Sequence, residues 1–337
     1  MNMNKKKPQD KSSVFSFLKK AITACLPYGV VIMWRRLLRL PVFSDADWMK
    51  RRFDALEVEL KKNLYDTQYN LAFGIPYLPQ TENNGKPRFI VTLTSYSNRI
   101  AATAPNAIWS IFQQSVLPDR IILWLAHGET VPTQLRILQE HGLEIRFCED
   151  VRSYKKLIPA LKEFPEDFLI TADDDLYYPR NWFAKLKMAY EADPGKIYAH
   201  RAHVITLGQD GKILPYRQWR LCAAGVETPQ GLIFPTGGGG ILYPPHSLHS
   251  LVTDEKEFTS LCPTADDVWF WAMAKLRGSQ YNVIPYGYGH GGLLFGIQND
   301  GGEEALWRKN AEGDNDKQIA AVLRRFPELL PTDTSQC

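Results

Sequence analysis

The sequence predicts an α/β protein built on a mixed, mostly parallel sheet flanked by helices. From residue 88 to residue 192, short apolar runs alternate with amphipathic stretches of about one helix length, the pattern of successive βαβ units. The apolar runs are continuous and β-branched instead of alternating, as strands covered on both faces are. One run, residues 168–172, ends in three consecutive carboxylates, Asp173, Asp174 and Asp175. Carboxyl ends of strands line the ligand crevice of open α/β sheets. Three adjacent acids are therefore expected to face that crevice, because burying each unpaired costs several kcal/mol.

Ahead of this body lie three different stretches. Residues 1–13 are polar and Lys-rich, a composition too hydrophilic to form a packed core. Residues 21–34 are almost uninterruptedly apolar, with Lys19 and Lys20 before them and Arg35 and Arg36 after. This run falls short of the ~20 residues that span a bilayer. Its basic flanks and Trp34 fit an in-plane membrane anchor over residues 14–40. A helix packed on the body is the alternative. Residues 44–66 show helical periodicity through Trp48, Phe53, Leu56, Leu60 and Leu64, and the polar stretch 81–86 marks a boundary. The expected organisation is a membrane-associating segment at 1–45, a helical linker at 46–86, the α/β domain at 87–330 and a tail at 331–337.

Within the body, residues 89–94 read as the first strand and 104–115 as a helix. Strands follow at 120–125 and 143–147, with a helix at 133–141 between them. A helix at 154–164 leads into the acid-tipped strand. After a helix at 181–192, a strand is expected at 196–204, and Gly/Pro-rich segments follow. The last helix opens at Asn315 and Asp316, which reads as a cap.

Four further stretches carry residue types suited to chemistry. The turn after the first strand holds Thr94, Ser95, Tyr96 and Arg99, whose hydroxyls, ring and guanidinium suit a base and a phosphate. An ordinary polar turn is the alternative there. Lys155 and Lys156 open the helix before the acids, where a macrodipole favours anions over cations, so they point to an anionic ligand or a solvated face. Gly237 to Gly240 precede a strand-like run, and four glycines imply a close backbone approach, with Gly238 and Gly239 as ligand-side candidates. Asp266 and Asp267 follow Pro263 and Thr264 at a helix start, where either Thr264 or Asp266 would serve as a plain N-cap.

The Thr171-Ala172-Asp173-Asp174-Asp175 stretch resembles the Asp-X-Asp motif of GT-A-fold glycosyltransferases. The resemblance runs from about Arg88 to Phe326 in the order of the motifs: acid tip, glycine run, acid pair, then His290 among glycines. It implies a Rossmann-like GT-A domain whose first half holds a nucleotide-sugar, UDP-sugar first among the choices. It implies Mn²⁺ or Mg²⁺ on Asp173 and Asp175, with His290 as a third ligand, and Asp173 and Asp174 on the donor side. Asp267 would be the general base, with Asp266 standing where the family has Glu and kept beside it. The loop 287–302 would close over the donor.

Composition bounds the reading. The net charge of +3 divides into +8 over residues 1–40 and −5 over the rest, which argues against a nucleic-acid-binding body and for a tail that meets an anionic surface. Five scattered cysteines without a C-x-x-C pair suggest neither a disulfide framework nor a zinc site, and fit a reducing compartment. The expected function is metal-dependent, inverting transfer of a sugar to a glycan or lipid-linked acceptor in cell-surface polysaccharide synthesis. It would take place on the cytoplasmic, inner face of a membrane. The alternatives are a sugar-phosphate nucleotidyltransferase, which would normally carry a glycine in the 94–99 turn, and a non-catalytic sugar-binding scaffold. Deleting residues 1–40 is expected to abolish binding to anionic liposomes, and unchanged binding would remove the anchor.

Overall fold

In the computed structural model, residues 74–79, 85–223, 232–284, 295–296 and 313–329 are described. The expected anchor at 14–40, the helix at 44–66, His290, most of the 287–302 loop and the tail lie outside the described residues. Residues 74–79, ahead of the boundary expected at 87, already pack on the body. Ile75 and Leu78 are buried, and the Leu78 N–H donates to the His141 carbonyl at 3.0 Å.

The strands are β1 (Phe89–Thr94), β2 (Arg120–Ala126), β3 (Leu143–Cys148), β4 (Phe168–Thr171), β5 (Leu176–Tyr177), β6 (Ile197–Ala199), β7 (Ala202–Val204), β8 (Arg220–Ala223), β9 (Ile233–Pro235), β10 (Ile241–Tyr243), β11 (Tyr281–Val283) and β12 (Phe295–Gly296). The helices are α1 (Arg99–Ala102), α2 (Ala104–Phe112), α3 (Thr133–Glu140), α4 (Ile158–Glu163), α5 (Trp182–Ala192), α6 (Glu255–Leu261), α7 (Asp266–Arg277) and α8 (Asn315–Arg325). Seven strands form the main sheet in the order β11-β6-β10-β4-β1-β2-β3, and only β10 runs against its neighbours. The mixed, mostly parallel sheet flanked by helices is the architecture the sequence predicts. β1 and β2 are apolar on both faces, and Ile90, Leu93, Ile121, Leu123 and Leu125 are fully buried.

The chain steps outward from β1 to β2 to β3, then returns to place β4 on the other side of β1. The strand order therefore reverses between β1 and β4. A crevice opens at the carboxyl ends of strands at such a point. The sequence puts Ser95 to Arg99 at one lip and the three aspartates at the other.

Two expected elements differ. Residues 154–164 are not one helix: a 3₁₀ turn over Arg152–Lys156 precedes α4, which restarts with Pro159 in its first turn. Proline fits the start of a helix but not its middle, so the break falls just before it. Residues 196–204 are not one strand. β6 belongs to the main sheet, and β7 to a second sheet of three strands in the order β8-β7-β9. His200 and Arg201 make the crossing, with the His200 N–H on the Gly240 carbonyl at 3.1 Å and the Thr236 N–H on the Arg201 carbonyl at 3.1 Å.

The start of α7 is held from outside. Its N-cap is Ala265, with no side-chain cap, so neither Thr264 nor Asp266 caps it. Gln318 of α8 takes that place, its Oε1 accepting the N–H groups of Thr264 and Ala265 at 3.0 Å each. The Gln318 amide also donates to Thr264 Oγ1 at 2.8 Å. Asp316 is not a cap either, since its Oδ1 accepts the Tyr216 N–H at 2.7 Å and ties α8 to the smaller sheet's connection.

Candidate active site

The acid tip does not stay extended. The chain turns at Asp174 and Asp175 into β5, so the three side chains divide between two cations, Asp173 on Lys156 and the other two on Arg99. Asp174 enters the interior, against the expectation that all three acids line the crevice. It is 5% exposed, accepts Ser95 Oγ–H at 2.5 Å, and pairs with the Arg99 guanidinium through Nε at 3.2 Å. These donors make its burial tolerable, since a buried carboxylate needs both a counter-charge and hydrogen bonds. Burial still pushes its carboxyl up to about 6 against the pull of Arg99 and Ser95. Arg99 also reaches Asp175 Oδ2 at 2.7 Å, and lies over the Tyr96 ring at 5.4 Å.

The β1 turn is thereby divided. Thr94 backs the sheet, its Oγ donating to the Trp124 carbonyl at 2.8 Å. Ser95 and Arg99 hold Asp174, and the half-exposed Tyr96 presents a ring at the crevice lip.

Asp173 faces the other way, toward a lysine. Lys156 Nζ donates to Asp173 Oδ1 at 2.9 Å and lies 3.1 Å from Asp266 Oδ2 of α7. The Lys156 side chain is only 9% exposed, so it is not on a solvated face. Its backbone is pinned to the sheet by Thr92, whose Oγ donates to the Lys156 carbonyl at 2.7 Å. Trp124 Nε1 donates to that same Thr92 Oγ at 3.0 Å. Burial alone would lower the lysine's pKa, but Asp173, Asp266 and Asp267 together hold it well above the usual value, so it stays charged. Lys155 is buried too, yet its ammonium turns to Asp150 and away from the aspartates of the tip.

Asp267 sits beside this bridge. Its Oδ1 accepts the Gly237 N–H at 2.9 Å. Burial, and then the neighbouring charge of Asp266, push its carboxyl up to about 7, although Lys156 pulls the other way. Asp173 is the opposite case. Burial would raise it, but Lys156 prevails and holds it below the ordinary carboxylate value. Asp175 is raised by burial and then by the charge of Asp173.

The glycine run forms the floor between these groups. A Cβ on Gly238 would stand 2.7 Å from Asp173 Oδ2, and one on Gly237 would stand 2.9 Å from Asp267 Oδ1. A side chain there would displace these carboxylates, and as placed the acids rest against bare backbone. Gly240 has φ +97°, and a Cβ there would meet the Trp182 ring at 2.5 Å. Trp182 Nε1 donates to the Gly239 carbonyl at 2.8 Å. Tyr178 was not singled out from the sequence, yet it joins both walls: its hydroxyl accepts the Asp173 N–H at 2.6 Å and donates to the Gly238 carbonyl at 3.2 Å. Helix α2 fixes Tyr178 in turn, through Ser110 Oγ, which accepts the Tyr178 N–H at 2.9 Å.

Three further polar side chains lie at the crossing between the two sheets, residues 200–203. Arg201 Nη1 donates to Thr236 Oγ1 at 2.9 Å, and its charge contributes to lowering Asp173. His200 is buried with Nε2 on the Trp182 carbonyl at 2.9 Å, and burial pushes it down to about 4. His203 is likewise pushed to about 4 by burial. Both are neutral interior groups. No cluster of three or more metal-ligating side chains occurs among the described residues. Asp173 and Asp175 nevertheless fit a divalent ion of the kind that takes one or two carboxylates and completes its shell with phosphates and water. Each keeps one carboxylate oxygen without a partner among the described residues, and Asp175 is pushed up partly by Asp173 beside it.

No protein-family model and no curated protein matches the chain. Solved structures do. A mannosyltransferase from Pyrobaculum calidifontis, in complex with GDP-Man and Mn²⁺, is similar with a TM-score of 0.43 at 13% identity, over 80% of this chain and 74% of that one. A glucosyl-3-phosphoglycerate synthase from Mycobacterium tuberculosis, with Mn²⁺, UDP and phosphoglyceric acid, gives 0.44 at 16% identity, over 74% and 81%. A 4-diphosphocytidyl-2C-methyl-D-erythritol synthase gives 0.37 at 8% identity, over 59% and 89%.

Replacing Gly240 by Ala forces a side chain into Trp182 at a backbone angle that favours glycine. The substitution is expected to cost about 2 kcal/mol or more of stability, read by urea unfolding. A cost near zero would show that the glycine floor can shift.

Proposed function

We propose that the protein is a glycosyltransferase of the GT-A type, moving a sugar from a nucleotide-diphosphate sugar to a hydroxyl of a glycan or lipid-linked acceptor with inversion. The observation that carries this reading is the meeting of two acid sets at the switch-point crevice. Asp173 from the β4 tip and Asp266 from the start of α7 flank one ammonium, Lys156. The motifs lie about 90 residues apart in sequence, and nothing in ordinary core packing requires five aspartates at one spot.

The acceptor-side role falls to Asp267. A general base works best when its pKa lies near the working pH, and its carboxyl stands at about 7. Its Oδ1 is oriented by the Gly237 N–H, which leaves Oδ2 to take the acceptor proton. Asp266 is the weaker choice because Lys156 neutralises it. On the donor side, Lys156 and Arg201 carry positive charge toward a diphosphate, and the Tyr96 ring offers a stacking face for a base. A divalent ion, Mn²⁺ or Mg²⁺, would be held by Asp173 and Asp175, and supplies neutralisation of the charge that develops on the leaving diphosphate. His290 remains a proposed further ligand.

No helix among the described residues is long and apolar enough to cross a membrane. The basic and apolar segment 14–40 supports peripheral attachment at an inner membrane face, next to a lipid-linked or envelope glycan.

Release of nucleoside diphosphate from UDP-sugars and GDP-sugars with Mn²⁺ tests the reading. Activity is expected to vanish in chelator and return with Mn²⁺. Absence of release from every donor would overturn it. The kcat/KM is expected to fall about tenfold per pH unit below about 7, because the base must be ionised, and to level off above. Asp267→Asn should lose that limb and lower turnover by about 10²–10⁴-fold. Near-normal turnover in the variant would remove Asp267 as the base.

A further inference from the structure

Lys156 carries an inference that deepens the proposed function and rests on it. The lysine is not placed as a ligand-binding side chain usually is, reaching out from a surface. It is locked in from both ends. Its carbonyl is held by Thr92 Oγ at 2.7 Å, its flank lies against Gly237 with 3.2 Å between Nζ and a Cβ built there, and its ammonium sits between Asp173 and Asp266. The 3₁₀ turn that carries it is fixed as well. Tyr154 Oη–H donates to the Cys262 carbonyl at 2.7 Å, and the Tyr154 ring stacks on Phe258 at 4.1 Å. These contacts fix the lysine's backbone, and the two carboxylates hold its ammonium.

The charge count follows. Asp173, Asp174, Asp175, Asp266 and Asp267 face Lys156 and Arg99, and Arg201 adds its charge toward Asp173. Each acid that would greet a metal is therefore partly neutralised by a cation of the chain itself, Asp173 by Lys156 and Asp175 by Arg99. A metal arriving alone would meet a carboxylate already shared with an ammonium a few ångströms away, and the two cations repel. A diphosphate changes that balance. An ammonium has three N–H donors, and among the described residues Lys156 makes one hydrogen bond, to Asp173 Oδ1, and one ion pair, with Asp266 Oδ2 at 3.1 Å. A diphosphate beside this ammonium would bring the negative charge that a second cation needs.

We infer that Lys156 is a built-in counter-ion that holds Asp173 against Asp266 in the donor-free protein and makes divalent-metal binding depend on the nucleoside diphosphate. It is a positioning residue for the two acid walls and a gate on the order in which metal and donor bind. Removing one partner of a buried pair leaves an uncompensated charge, so a neutral residue at this position exposes Asp173 and Asp266 as an anionic pair that recruits a cation.

The test uses the full chain and Mn²⁺ alone, with bound and free ion separated by electron paramagnetic resonance. Wild type is expected to bind Mn²⁺ weakly by itself and about tenfold or more tightly when UDP or GDP is added. Lys156→Met should bind Mn²⁺ alone about tenfold or more tightly than wild type, whereas Lys156→Arg, which keeps the charge, should bind Mn²⁺ alone no more tightly than wild type. Mn²⁺ should also raise the melting temperature of Lys156→Met more than that of wild type. Lys156→Gln serves the same comparison where the Met variant does not fold. Equal Mn²⁺ affinity in wild type and the neutral variants would overturn the counter-ion role while leaving the transferase reading in place. Absence of Mn²⁺ binding in every protein, with and without nucleotide, would overturn both.

Discussion

One ammonium between two carboxylates organises the functional end of this molecule. Lys156 lies 2.9 Å from Asp173 and 3.1 Å from Asp266, and those residues come from two separate elements, the β4 tip and the start of α7. Without a cation there, two buried acids would face each other across a low-dielectric gap, and the walls would separate or one acid would take a proton. With it, the β4 tip and the α7 start are drawn together, and Asp267 is left beside them with its carboxyl at about 7.

The rest of the fold serves to hold that arrangement. Thr92 and Trp124 fix the lysine's backbone to the middle of the sheet. Gln318 of α8 satisfies the N–H groups ahead of α7, which frees Asp266 and Asp267 from capping duty and lets them turn to the crevice. Tyr178 joins the acid tip to the glycine floor, and α2 joins Tyr178 to the body. The pattern is a rigid site on sheet and helix ends, in which each side chain that faces the crevice has a partner behind it.

Much of this was legible in the residues. The strands of the body stood out because continuous β-branched runs have few other uses, and the acid tip stood out because three carboxylates after such a run conflict with burial. The run of four glycines signalled close backbone approach, and Gly238 and Gly240 show why, with Asp173 and Trp182 where a Cβ would be. What escaped was tertiary. The inward turn of Asp174 depends on Ser95 and Arg99, 79 and 75 residues away, which no local pattern announces. Local reasoning set a cap on Thr264 or Asp266 and could not foresee Gln318, a glutamine with no positional signal 54 residues downstream of Thr264. The strand at 196–204 looked continuous because both halves are apolar, and only the sheet switch at His200 and Arg201 divides it. The lysine pair was read as opening a helix against its dipole, but both residues end a 3₁₀ turn ahead of α4, so that conflict is absent, and the tertiary partners decide their roles: Lys156 meets Asp173 and Asp266, while Lys155 serves Asp150.

Anomalous scattering from Mn²⁺ in crystals grown with UDP locates the ion at this site. One ion touching Asp173 and Asp175, a diphosphate within reach of Lys156 and Asp267 facing the same space are the expected result. An ion or diphosphate bound away from the acid tip, or an Asp267 turned from it, would rule out a shared site.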